Sequence, residues 1–345
     1  LRDLPLDVKD EIRAIRKVVD DRHARMKRAI HVALKKAVHN DQQELAFEIE
    51  RLGGRVRHFM TILNAVAATL PSENLKELAQ FPKVLSVEND TPGAPELDTS
   101  VPSIMADTWW ANGIDGGIND LGIVDSGVND FHPALSSHRF FQNVQFDSTG
   151  HGTHVTGIVA STDATYRGVA FGLDAIISGQ AGLESTSMAS VDWIFSVPSE
   201  QPEVINYSWG HGLATTDDSP IDRFFDAVVD GQTTLVIKSI GNEGCVSLSN
   251  TVTYPGNGYN VITVGNMNDN NTVSRNDDFI ASNSSRGPTV GGRKKPDLVA
   301  PGSGTDPGCP RIFDNNDIFS ANYGYIGDGA DFVSNSGTSM AAAHV

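Results

Sequence analysis

The chain has very little cysteine, no long apolar run and, for its length, little positive charge. Cys245 and Cys309 are its only cysteines; two cannot build a disulfide framework, and their spacing fits no zinc motif, which needs three or four ligands. One disulfide and two free thiols both remain open. No stretch approaches the roughly 18 to 20 uncharged apolar residues of a membrane helix, so no membrane partner is expected. A charged start followed by an apolar run, the mark of a signal peptide, is also missing. The chain opens at Leu1 and stops at Val345 inside an Ala-rich helical pattern. It therefore reads as a fragment, and the missing signal says little about compartment.

Lys and Arg number 26 against 43 Asp and Glu, a net charge of -17. Residues 1–100 hold 16 basic and 16 acidic residues, whereas residues 101–345 hold 10 and 27, so the whole imbalance sits in the larger part. An acidic surface argues against nucleic acid or an anionic membrane as partner, because phosphates are bound through basic surfaces. What is present is the composition of a globular protein: 39% hydrophobic and 20% charged residues, 33 Gly and 16 Pro. At 345 residues the chain exceeds one ordinary domain.

Val8, Ile12, Ile15, Val19 and Met26 recur at helical spacing and predict an amphipathic helix over 8–27. Ile30, Val32 and Leu34 then alternate as in a strand. DQQELAFEIERL (41–52) begins with an Asp and a Glu three residues on and stops at Gly53-Gly54, the start and stop signals of a helix. RVRHFMTIL and AVAATL read as strands around Asn64, ENLKELAQF as a short helix, and Lys83 to Val87 as a last strand. This β-α-β-β-α-β order predicts a small α+β ferredoxin-like domain. TPGAPELDTSVPS, with three prolines, reads as an exposed linker. From residue 119, short apolar runs (LGIV, AIIS, VINYSW, TLVIKSIG, VITVG) alternate with helical stretches at 153–161, 184–197 and 219–230. That alternation predicts an α/β domain with a mostly parallel sheet covered on both faces.

Four residues stand out chemically, each with a plainer reading. Asp125 follows LGIV at the carboxyl end of a buried strand, where ligand sites of α/β sheets gather, or is simply a turn former. His151 opens HGTHVTGIVA at the first turn of a helix. His151 and His154 have metal-ligand spacing, but HExxH is absent. Ser339 starts the helix of GTSMAAAHV, where a serine is ordinarily a cap, and Asn242 follows the strand TLVIK as an ordinary turn residue. Taken together they satisfy acyl transfer, in which a serine needs a base, the base needs an acid to fix its tautomer, and the oxyanion needs fixed donors.

At this point the sequence resembles the subtilisin-like serine proteases, or subtilases. IVDSGV, HGTHVTGIVA, GVAFGLDA, INYSWG, GNEG, SSRGPT, KPDLVAPG and GTSMAAAHV stand in that family's order over 119–345. The resemblance implies a three-layer subtilisin-like domain and a serine endopeptidase with Asp125, His151 and Ser339 as its triad. It implies Asn242 and the Ser339 amide as the oxyanion hole, and Ser208-Trp209-Gly210 as an edge segment that pairs with extended substrate. The specificity pocket maps to Ser208, Trp209, Gly210, Ser239, Ile240 and Gly241, with Thr253 at its base. A β-branched residue there predicts small or medium apolar substrate side chains.

LGGRVRHFMTILNAVAATLP and FPKVLSVEND are similar to the inhibitory propeptides of such proteases. The expected partition is an N-terminal helical extension (1–27), a propeptide (28–90), a linker and processing region (91–105, with cleavage at 88–100) and a catalytic domain (106–345) truncated at its C-terminus. The helix behind Ser339 ends after six residues, so the fragment is expected to hold its nucleophile poorly. The expected partners are polypeptide substrates and the chain's own propeptide as intramolecular inhibitor, and the expected setting is secreted.

No cofactor is expected. Structural calcium has no evident site: the usual Asn-rich loop is replaced by STDATYR, with Asp163 its one anionic oxygen ligand. Acidic loops at Asp314 to Asp317 and Asp328 to Asp331 are the other candidates. Ala343 stands where Pro is usual and Thr156 where Ala is usual. The stretch from Gly302 to Gly337 is longer than the family pattern; folded over the active-site rim, it would let Cys309 and Cys245 form a disulfide beside the oxyanion hole. Two rival readings are a non-catalytic peptide-binding relative and a propeptide serving another protease as inhibitor or chaperone.

Overall fold

The computed structural model describes residues 36–60, 64–87, 97–117, 119–144, 146–197, 201–232, 234–306, 317–324 and 331–345. The predicted helix at 8–27, the strand at 30–34 and most of both acidic loops lie outside them. Two compact units part between Pro92 and Gly93.

In the first unit, residues 36–51 are helical (α1), so the chain is already in helix before the predicted start at Asp41. It is followed by antiparallel strands β1 (Arg55–Met60) and β2 (Ala65–Thr69), a 3-10 turn at Ser72–Asn74, and helix α2 (Leu75–Leu78). Ile49, Leu52 and Leu78 form the small core, against which Leu45, Val56, Val66 and Leu70 pack. The predicted last strand over 83–87 does not form. Val84 closes a turn onto Phe81 O at 2.9 Å, Leu85 is fully exposed, and Lys83 reaches back to Asp41 and Glu44 of α1. Apolar alternation makes a strand only where a partner takes up the backbone ladder.

The second unit is built on an eight-stranded sheet. Its strands are β3 (Asp120–Asp125), β4 (Arg139–Gln142), β5 (Ala175–Gln180), β6 (Val204–Tyr207), β7 (Leu235–Ser239), β8 (Ile262–Asn268), β9 (Phe279–Ile280) and β10 (Leu298–Ser303). The order β10-β8-β7-β6-β3-β5-β4 is parallel throughout, and β9 pairs antiparallel with β8. β11 (Ile318–Ala321) and β12 (Phe332–Asn335) form a separate antiparallel pair. Residues 97–103 depart from the predicted exposed linker: they form helix α3 (Leu97–Ser103), in which Ser100, Val101 and Ser103 are buried. Val101 joins the core, and that burial outweighs the proline signal. Helix α4 (Ala106–Trp110) follows.

Period-two alternation sends Leu121 and Ile123 of β3 to one face and Val124 to the other, and splits Ile176 from Ile177 of β5 in the same way. Helices α5 (His151–Ala160) and α8 (Thr338–Ala343) cover the first face; α6 (Glu184–Ser196) and α7 (Pro220–Gln232) cover the second. The strand order places β3 between β5 and β6, so the chain leaves β3 in opposite directions. Such a switch point opens a crevice at the carboxyl ends of the strands, and Asp125, Ser208 and Asn242 all lie at those ends.

One core residue breaks the apolar rule. Lys238 on β7 is fully buried, with Nζ donating to the Ser239 carbonyl and to Ser239 Oγ at 3.1 Å. Burial lowers its pKa to about 7, opposed by the nearby Asp222 carboxylate. Between pH 7 and the ordinary lysine value, the unfolded chain keeps a proton that the folded chain has released, so stability rises with pH across that window. Below pH 7 both states are protonated and the folded state bears the full cost of a buried ammonium. Lys238→Met is therefore expected to stabilise the fold by roughly 2 kcal/mol below pH 7, and by progressively less toward pH 10. Thermal unfolding at a series of pH values checks this; a gain independent of pH would contradict it.

Candidate active site

Asp125 is the last residue of β3 and is 0% exposed; His151 is the first residue of α5. The His151 Nδ1–H donates to Asp125 Oδ1 at 2.7 Å. The same oxygen accepts the Ser126 amide at 2.7 Å and faces Ser126 Oγ at 3.2 Å. Glycine makes this approach possible. A Cβ on Gly152 would lie 2.1 Å from Gly127 O and 3.1 Å from Asp125 Cβ, so any side chain there would push α5 off the strand end. Trp209 stands edge-on to the His151 ring, with centroids 6.4 Å apart.

Ser339 is the second residue of α8, where backbone N–H groups find no acceptor inside the helix. Its Oγ donates to Ser208 O at 3.2 Å, and Ser208 Oγ donates to Ser339 O at 3.1 Å, a reciprocal pair that fixes the start of α8 to residue 208 just past β6. Asn242 is oriented by Thr338, whose amide and hydroxyl donate to its Oδ1 at 2.9 and 3.1 Å. With its oxygen committed to two donors, the Asn242 Nδ2 is the prong left to donate.

The predicted pocket residues also come together. Residues 211–214 run antiparallel to 252–254, with His211 N on Tyr254 O at 3.1 Å and Leu213 bridged to Thr253. Thr253 donates from N and Oγ1 to Ile240 O at 2.9 and 3.0 Å. A Cβ on Gly241 would lie 2.5 Å from Thr253 Cγ2, and one on Gly210 2.8 Å from Thr253 Oγ1. Thr253 is thus lodged between Ser208-Trp209-Gly210 and Ser239-Ile240-Gly241. The Ile240 side chain is fully buried, so it contributes backbone alone. Tyr207 OH and His211 Nε2 share a 2.5 Å hydrogen bond that ties together the residues flanking 208–210; burial and the Lys238 charge lower the His211 pKa to about 4.

Residues 120–345 match the family described as "Subtilase family", and residues 14–93 match "Peptidase inhibitor I9". The chain belongs to the subtilases. It is 30% identical over 305 residues to the serine protease AprX of Bacillus subtilis (strain 168), covering 81% of this chain and 68% of that protein. It is 29% identical over 311 residues to subtilisin E of the same organism, covering 86% and 72%. Among solved structures, the Clostridium perfringens CspB protease superposes over 72% of this chain and 84% of that one, at a TM-score of 0.58 and 16% identity. The prenylagaramide maturation protease PagA superposes over 69% and 76%, at 0.53 and 18%. Likeness at those identities carries the fold alone. The subtilase is a serine protease, a hydrolase of mostly parallel α/β fold, preceded by an inhibitor-type propeptide domain. The inhibitor match begins at residue 14, inside the segment assigned from sequence to an N-terminal extension.

His154, three residues after His151, is 1% exposed with Nε2 on Ile318 O and Val333 O at 3.0 and 3.1 Å, and burial drives its pKa down to about 3. It fastens α5 to the β11–β12 pair rather than reaching a shared metal. The Asp163 Oδ1 accepts the Thr165 and Tyr166 amides at 2.8 and 2.9 Å, closing a turn. Among the described residues, no group of three or more His, Cys, Asp or Glu is arranged to hold a metal ion, and no helix is long and apolar enough to cross a membrane. Cys245 is disulfide-bonded, which decides between the two thiol states left open by the sequence. Cys309, the other cysteine, lies outside the described residues.

Sequence reasoning passed over Asp147. This residue is 0% exposed and accepts five donors: Ser126 Oγ (2.7 Å), Thr149 N (3.1 Å) and Gly150 N (2.8 Å) at Oδ1, and Thr153 N (2.8 Å) and Thr153 Oγ1 (2.6 Å) at Oδ2. Its one signal in the sequence is an Asp four residues before the histidine in DSTGHGTH.

Proposed function

We propose that this subtilase is an endopeptidase in which Ser339 attacks the scissile carbonyl, His151 serves as base and then acid, and Asp125 orients the imidazole. The single observation that carries the reading is the 2.7 Å bond from His151 Nδ1–H to buried Asp125 Oδ1. It leaves Nε2 as the basic nitrogen. The Ser339 hydroxyl turns from Ser208 O to give its proton to Nε2 as it attacks. Asn242 Nδ2 and the Ser339 amide receive the oxyanion, a donor of this kind being worth about 3 to 4 kcal/mol of barrier. The acyl-enzyme then yields to water. Released from Ser339, Ser208 O is an acceptor for the backbone of an extended substrate.

The inhibitor-type domain supports a zymogen that cleaves itself within 88–100. A setting outside the cell is supported by the relatives, one of which is named the minor extracellular protease Epr, and the acidic charge of the larger part is compatible with it. A fluorophosphonate probe tests the central reading: the label should be recovered on the peptide containing Ser339, and a folded chain that stays unlabelled overturns it.

Thr253 between two glycine-walled segments makes a short pocket that favours small or medium apolar side chains. Thr253→Gly is expected to raise kcat/KM for phenylalanine over alanine before the scissile bond by about tenfold or more, since each methylene accommodated is worth roughly 1 to 3 kcal/mol. Paired peptide substrates give the ratio; an unchanged ratio would place the pocket base elsewhere.

A further inference from the structure

We propose that Asp147 is a positioning residue for the Asp125–His151 pair, holding with one buried carboxylate both the end of β3 and the first turn of α5. This rests on the acid–base reading above and extends it to a second carboxylate. A buried carboxylate is tolerated only when its lone pairs are taken up, and Asp147 has five donors within 3.1 Å. Those donors lie on the three pieces that must stay in register for the pair to exist. Ser126 follows Asp125, Thr149 and Gly150 lead into His151, and Thr153 stands one residue beyond Gly152. A helix start leaves amides that a cap residue usually satisfies. Gly150 at that position has no side chain, and Asp147 takes its place from outside the helix.

The bridge to Asp125 runs through one hydroxyl. Ser126 Oγ accepts the Gly152 amide at 3.0 Å and has a single proton, which goes to Asp147 Oδ1 at 2.7 Å in preference to Asp125 Oδ1 at 3.2 Å. Ser126 is thereby fixed so that its own amide holds Asp125 Oδ1 toward His151. Asparagine cannot reproduce this, because its NH2 would face other donors on whichever side it lay. The second consequence is electrostatic: a carboxylate one hydroxyl removed from Asp125 favours positive charge on His151. Besides Asp125, His154 is coupled to that ring and is kept neutral by burial.

The test compares the wild-type chain with Asp147→Asn and Ser126→Ala. Its readouts are thermal unfolding, kcat and KM, the pH profile of kcat/KM, and the His151 titration with its Nδ1–H resonance by NMR. Asp147→Asn is expected to fold, to lower kcat roughly 100-fold with little change in KM, and to move the acidic limb and the His151 titration to lower pH. Ser126→Ala, which removes only the bridging hydroxyl, is expected to lower kcat with a smaller movement of the limb. A folded Asp147→Asn with wild-type kcat overturns the proposal, as does lost activity with an unmoved His151 titration, which would leave Asp147 a helix anchor alone. Should Asp147→Asn fail to fold, Ser126→Ala decides, and its wild-type kcat would be fatal to the idea. An unlabelled but folded wild-type chain would instead sink the acid–base reading, while the His151 resonance would still report whether Asp147 holds the ring.

Discussion

Ser339→Ala is expected to lower peptide hydrolysis by about 10⁶-fold, the size of the loss from the corresponding change in subtilisin, and to abolish fluorophosphonate labelling. The alanine removes the atom that forms the acyl bond, so His151 and Asp125 are left with no proton to accept and no bond to assist. The residual rate should come from Asn242 and the α8 start, which still offer donors to an oxyanion when water attacks directly. Little loss of stability is expected, because the substitution removes only the Ser339 Oγ contact to Ser208 O and keeps the reciprocal Ser208 Oγ bond to Ser339 O. Peptide turnover and thermal unfolding of the same variant separate the two effects. A folded Ser339→Ala chain that keeps more than a few per cent of wild-type turnover would contradict the assignment. The same variant isolates self-processing: intact chain at 88–100 is expected with alanine, and cleaved chain with serine.

Asp125→Asn is expected to cost about 10⁴-fold in kcat with KM little changed. The reason lies in a single oxygen, which accepts the His151 Nδ1–H at 2.7 Å and the Ser126 amide at 2.7 Å. A carboxamide whose oxygen keeps both bonds strands its NH2 at the place of Oδ2, which is buried without a hydrogen-bond partner; turned over, it sets that NH2 against His151 Nδ1. In the turned-over form the imidazole takes the tautomer protonated on Nε2, which cannot accept the serine proton. The lost carboxylate also ceases to stabilise the imidazolium formed during attack. Steady-state kinetics with a peptide substrate decides the matter, and a loss below about tenfold would show that Asp125 only shapes the turn after β3.

The extent to which these sites were legible follows from how local each signal is. Asp125, His151, Asn242 and Ser339 each sit where a strand ends or a helix starts, and those boundaries are written in nearby residues: LGIV before Asp125, Gly150 before His151, Gly337 before Thr338. The parallel sheet was legible too, because strands buried on both faces read as continuous apolar runs. Strand β4 was missed because RFFQ is short and half exposed, and β11 and β12 because they pair only with each other. Lys83 to Val87 misled in the other direction, having strand composition without strand pairing. Residues 97–103 read as linker because a proline and polar residues outweighed one buried valine.

By itself, the sequence determined which chemical groups this subtilase possesses, the elements that carry most of them, and the absence of nucleic-acid-binding charge from its larger part. Only the tertiary structure decided which oxygen of Asp125 meets His151, which prong of Asn242 is left without an acceptor, that Thr253 lodges against Gly210 and Gly241, and that Asp147 binds three segments at once. The division is physical. Propensity and burial pattern act over a few residues and leave their mark in the local sequence, whereas a hydrogen-bond hub draws its partners from β3, the loop before α5 and α5 itself. The fold brings those three pieces within 3.1 Å of one carboxylate; no spacing in the sequence states that distance.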